Sequence, residues 1–164
     1  MTKLLLLVGL LLAVSTAPAV AAPTLDQKKA EIDRLDFLVG EWVGSGWMQR
    51  GPERHEFESH EMIRETLGGL VLLIEGTHTG FSALGVVSAG DSAGHYTMRS
   101  WTSEGHGADA TARIPAPGTF EWGFERVRYT ITVSAAGEWA ETGEYRDDSG
   151  TWRNFFRMDL KRQP

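Results

Sequence analysis

The sequence predicts an all-β protein: a closed, antiparallel, ten-stranded up-and-down barrel with a short N-terminal helix. Three observations predict it. From Gly40 onward, apolar and polar residues alternate with period two and helical spacing disappears. Turn residues punctuate this stretch at Gly51-Pro52, Gly68-Gly69, Gly90-Asp91, Pro115 to Gly118, Ala136-Gly137 and Asp147 to Gly150. The connections between strands are short, whereas a parallel crossover needs about a dozen residues or more. Antiparallel strands in a meander leave two raw edges unless the first pairs with the last, which closure into a barrel achieves.

Taken in order, residues 1–21 read as an export signal. Lys3 supplies the positive end, Leu4 to Val14 form an apolar run, and Ala19 and Ala21 complete an A-x-A cleavage site. The run is about half of the roughly 20 residues that a membrane span requires. Residues 22–164 then form one domain, exported to the periplasm or beyond the cell. Thr24 and Gln27 make a capping-box pattern that opens a helix over residues 25–35, with Leu25, Ile32 and Leu35 on one side. Ten strands follow, at about 41–50, 54–66, 70–79, 82–89, 95–103, 106–113, 119–124, 126–134, 138–146 and 151–162. Parity directs Val127, Tyr129, Ile131 and Val133 inward, together with Phe120, Trp122 and Phe124. The same reasoning sends Trp152, Phe156, Met158 and Leu160 inward from the last strand, and places Trp47 and Trp101 outside, under the helix.

The 164-residue chain is 41% hydrophobic and 23% charged, the composition of a packed globular domain. It has no cysteine, which excludes disulfides, thiolate metal sites and a cysteine nucleophile. A net charge of −6 argues against a nucleic-acid partner, since phosphate binding needs a basic face. His60-Glu61-Met62-Ile63-Arg64 begins like a zinc-protease motif, but Arg64 stands where the second histidine is needed. His55 and His60 are five apart on one strand, so they point to opposite faces and cannot share a metal. No nucleophile elbow or dinucleotide loop is present. No catalytic residue, metal or cofactor is assigned.

Gly40-Glu41-Trp42 at the entry to the first strand and Lys161-Arg162 at the close of the last resemble the calycin superfamily of lipocalins and fatty-acid-binding proteins. That resemblance implies that Trp42 plugs the barrel base, with a cation from Arg162 or Lys161 over its ring. Longer blocks are more specific: Leu35 to Gly46, Gly68 to Gly76 and Tyr96 to Trp101 resemble exported members of the DUF1579 family of lipocalin-like proteins. That family brings a fold expectation but no activity. The opening also resembles nitrobindin-like barrels, which hold haem through a histidine late in the chain. Here His55, His60, His78, His95 and His106 all precede the last four strands.

The polar residues that parity places among inward aromatics are the candidate site: Glu61, His78, Tyr96, Trp122, Tyr129, Glu141, Tyr145 and Asn154. A barrel of roughly ten strands is too wide to fill with side chains alone. The sequence therefore points to a small apolar or amphipathic ligand, with Tyr129, Tyr145 and Glu141 near its polar head. Two other readings stand beside it. One is a haem-binding or enzymatic barrel using His78 with Glu61 or Glu141; the other is an interaction module with a filled core. The opening is expected away from Trp42, bordered by Gly68-Gly69 or by Thr79-Gly80.

Overall fold

The computed structural model describes residues 22–164; the expected signal segment, residues 1–21, lies outside them. The capping box forms as the sequence suggests. Thr24 N–H donates to Gln27 Oε1 at 2.8 Å and Gln27 N–H to Thr24 Oγ1 at 3.3 Å. Helix α1 (Leu25–Asp33) is shorter than expected, because the chain tightens into a 3₁₀ turn over Asp36–Leu38. Its stripe is narrower too. Ile32 and Leu35 are fully buried, but Leu25, at the start of the helix, is exposed.

Ten strands follow: β1 (Gly40–Arg50), β2 (Glu53–Thr66), β3 (Val71–His78), β4 (Phe81–Ala89), β5 (His95–Thr102), β6 (Gly107–Ala116), β7 (Thr119–Phe124), β8 (Val127–Val133), β9 (Glu138–Arg146) and β10 (Trp152–Arg162). Each pairs antiparallel with its sequence neighbours, and β1 pairs with β10 from Trp42↔Arg162 to Met48↔Phe156. That last ladder closes the barrel and distinguishes it from a two-sheet sandwich. The turns after β2, β4, β6 and β8 gather at the end covered by α1, and those after β1, β3, β5, β7 and β9 gather at the other. Gly68-Gly69 therefore belongs to the covered end, while Thr79-Gly80 borders the opening. Among the described residues no helix is long and apolar enough to cross a membrane.

The covered end is sealed from within. The Trp42 indole is fully buried, donates Nε1–H to Leu38 O at 2.8 Å and meets Trp139 edge-on at 5.3 Å. The Arg162 guanidinium lies 4.2 Å from the centre of the Trp42 ring. It also donates to Phe37 O at 2.7 Å and to Val39 O, so one cation ties the last strand to the turn before the first. Lys161 takes no part: it pairs opposite Glu138 and Val43 on the outer face.

Two inward assignments are corrected at β10. The register against β9 slips between Asn154 and Phe156, leaving Phe155 as an extra residue. Phe156, Met158 and Leu160 stay inside, but Trp152 and Asn154 turn to the outer face opposite Arg146 and Glu144. Trp152 there carries Arg128 over its ring at 4.2 Å. Trp47 and Trp101 are also outside, though neither sits under the helix. Trp47 stacks with Arg54 and Trp101 with Arg99, while α1 packs on β3 and β4.

Removing the plug should destabilise the barrel as a large-to-small core change does. Trp42→Ala is expected to lose about 3–5 kcal/mol in urea unfolding. Lys161→Ala should stay within about 0.5 kcal/mol of wild type, as surface sites do. Equal effects from the two would show that the indole does not hold the closed end.

Candidate functional site

Inside the barrel, beyond Trp42 and Trp139, lies a cavity of about 580 Å³ open at the end away from α1. Its lining is largely aromatic and aliphatic, with a few polar side chains among it. Strand parity delivers the polar side chains: Glu61 comes from β2, His78 from the end of β3 and Glu141 from β9, all on the inner face, with Ser59 two residues before Glu61. Glu61 stands opposite Gly76, and any Cβ there would meet the Glu61 carboxyl oxygens at 2.6 and 2.8 Å. The missing side chain of Gly76 is thus the space that Glu61 occupies.

Glu61 is the better satisfied of the two acids. Its Oε1 accepts from Ser59 Oγ at 3.1 Å and lies 3.3 Å from His78 Nε2. The imidazole is held between Phe57, at 4.7 Å, and Phe81, at 5.7 Å. Glu141 is equally buried but has no ion-pair partner among the described residues. Burial, together with the negative field of Glu61, pushes its carboxyl up to about 8, and the indole N–H groups of Trp139 and Trp122 only partly offset this. Trp139 Nε1 lies beside the carboxyl outside hydrogen-bond geometry and has no other partner.

Tyr129 stacks on Trp122 at 4.1 Å with the rings 9° apart, and meets Phe156 edge-on at 5.7 Å. Gly143 opposite makes room for that ring, since a Cβ there would fall 2.8 Å from it. Burial and the neighbouring Glu141 both raise the Tyr129 hydroxyl well above the usual phenol range.

The structure therefore brings together Glu61, His78, Trp122, Tyr129 and Glu141 as cavity lining. Three other candidates lie elsewhere. Tyr96 points inward at the covered end, where its hydroxyl donates to Glu31 O at 3.0 Å and anchors α1. Tyr145 follows the inward parity of β9 but sits at its last turn, 45% exposed and tilted against Phe155. Asn154 is outside because of the bulge. Ser59 was not singled out from sequence, although its spacing of two from Glu61 was a usable signal.

A haem held through His78 does not fit this arrangement. Its Nε2 is engaged by Glu61 and its ring is wedged between two phenylalanines. Among the described residues no group of three or more His, Asp or Glu side chains is placed to hold a metal ion.

No family model and no curated protein matches the sequence. Among solved structures, the chain is similar to Rv2717c from M. tuberculosis, with a TM-score of 0.66 and 12% identity, over 82% of this chain and 98% of that one. At that identity the likeness is one of fold, and it fits a lipocalin-like barrel.

Glu141 gives the site a pH signature. Between the ordinary carboxyl range near 4.3 and about 8, the folded protein keeps a proton that the unfolded chain has released. Stability contributed by this group therefore falls as pH rises through that window, by up to about 1.4 kcal/mol per pH unit. Urea midpoints measured across the window should show this fall in wild type and a shallower one in Glu141→Gln. Identical slopes would mean that Glu141 ionises as a solvated acid does.

Proposed function

We propose that this protein binds a small, largely apolar molecule with a polar head inside the barrel, as an exported lipocalin-like protein of the DUF1579 kind. The observation that carries the reading is the open cavity of about 580 Å³, largely apolar with a small polar cluster in its lining. Ligand sites generally have this composition and fall in this size range. Met48, Phe57, Ile74, Met98 and Phe156 offer contacts to an apolar body, and Glu61, His78 and Glu141 offer polar partners to its head. An interaction module with a filled core has no need of such a space. Export rests on the lysine, the apolar run and the A-x-A pattern of residues 1–21.

One observation favours a second reading. The His78–Glu61 pair at 3.3 Å stands in the same cavity as an acid raised toward neutrality, an arrangement suited to general acid–base chemistry. Turnover of a cavity ligand that is lost in both Glu141→Gln and His78→Gln would support it.

The binding reading is tested with the neutral fluorophore N-phenyl-1-naphthylamine. Wild type should give saturable enhancement with one site per chain. Ser100→Trp places an indole in the cavity from β5 and should weaken that binding by about tenfold or more, as occluding an apolar pocket does, with the far-ultraviolet circular dichroism unchanged. Absence of saturable binding by the wild-type protein would overturn the reading.

A further inference from the structure

The cavity contains more acid than its neighbours neutralise, and the imbalance bears on what it would take. Of the two buried carboxyls, Glu61 has His78 at 3.3 Å and Ser59 at 3.1 Å. Glu141 has no cationic partner among the described residues. Arg50 is the one arginine on the cavity wall, and it is exposed at the mouth, at the end of β1. A carboxylate or phosphate head there would meet Glu61, whose histidine is already engaged, and Glu141, which offers it no counter-charge, an unfavourable burial.

A cation would meet the opposite situation. Trp122 and Tyr129 present a stacked pair, Phe156 crosses Tyr129 at 5.7 Å, and Phe57 stacks on Phe156 at 5.7 Å with the rings 24° apart. Aromatic faces around a carboxyl supply what an alkylammonium needs, a charge partner together with ring quadrupoles in a dry site. Trp139 Nε1, on a side chain that is 3% exposed, has no acceptor and lies beside Glu141. An indole N–H so placed stabilises that carboxyl once it ionises opposite a bound cation.

We propose that the polar head accepted by this cavity is a cation, an alkyl- or arylammonium group held against Glu141 among Trp122, Tyr129 and Phe156. This inference rests on the binding reading above and adds the sign of the charge.

The test is displacement of N-phenyl-1-naphthylamine by three probes of equal chain length, each below its micelle concentration: decyltrimethylammonium, decanol and decanoate. Decyltrimethylammonium should displace at about tenfold lower concentration than decanoate, with decanol between them. In Glu141→Gln the advantage of the ammonium over decanol should collapse toward unity. Equal or better displacement by decanoate, or an ammonium advantage that survives in Glu141→Gln, overturns the inference while leaving the cavity reading intact. Failure of all three probes to displace the bound fluorophore overturns the inference alone, and failure of the fluorophore itself to bind overturns both. Should Glu141→Gln melt early, the order of the three probes on wild type decides alone.

Discussion

Closure of the sheet around Trp42 is the constraint on which the rest of this structure depends. A meander of antiparallel strands is stable in water only if its two edges are dealt with, and here β1 and β10 deal with each other. The ladder ends at Trp42↔Arg162, so the same register that joins the edges sets a guanidinium over an indole. That guanidinium then reaches the carbonyls of Phe37 and Val39, and the indole reaches Leu38. Three orphan carbonyls of the entry turn are thereby satisfied by two side chains, and α1 is held across the barrel end. Tyr96 and Gly94 complete the attachment through Glu31.

With one end fixed, the inner face becomes a graded surface. Large side chains, Trp42, Trp139, Phe120 and Leu72 among them, fill the covered end to near-complete burial. Farther along, Gly76, Gly85, Ala83 and Ala108 occupy inward positions where bulk would close the bore. The cavity is thus specified by where small residues fall on the same parity as large ones. Two of its lining side chains are placed in the same way, since Glu61 and the Tyr129 ring each lie against a glycine on the neighbouring strand.

The helix, the number of strands and nearly all their limits were legible in the sequence, because alternation and turn chemistry are local signals. Inward and outward faces were legible for as long as the alternation was unbroken, which covers Glu61, His78, Trp122, Tyr129 and Glu141. Parity failed at Trp152 and Asn154, where Phe155 bulges between two aromatic and polar stretches that look regular in one dimension. Parity also says nothing about height in the barrel. Tyr96 and Tyr145 both lie on inward positions, yet one is consumed in holding α1 and the other emerges at the mouth. Which of Arg162 and Lys161 faces Trp42 was likewise a question of register with β1, settled by pairing across more than a hundred residues of chain.

The two buried acids carry the argument from fold to function. A carboxyl placed in an apolar interior without a partner destabilises the protein, so a core selected only for packing would carry a neutral residue in its place. Glu61 fits a structural role well enough, with a serine and a histidine to satisfy it and a glycine to admit it. Glu141 has no such complement: burial and Glu61 both work against its charge, and the Trp139 indole N–H falls short of hydrogen-bond geometry. It stands on the wall of an open cavity, within reach of whatever enters. On the proposed reading, the same acid that lowers the stability of the barrel gives an entering group a reason to bind. An unpartnered acid at a cavity wall is, on that reading, a feature of a binding interior that a packed one would lack.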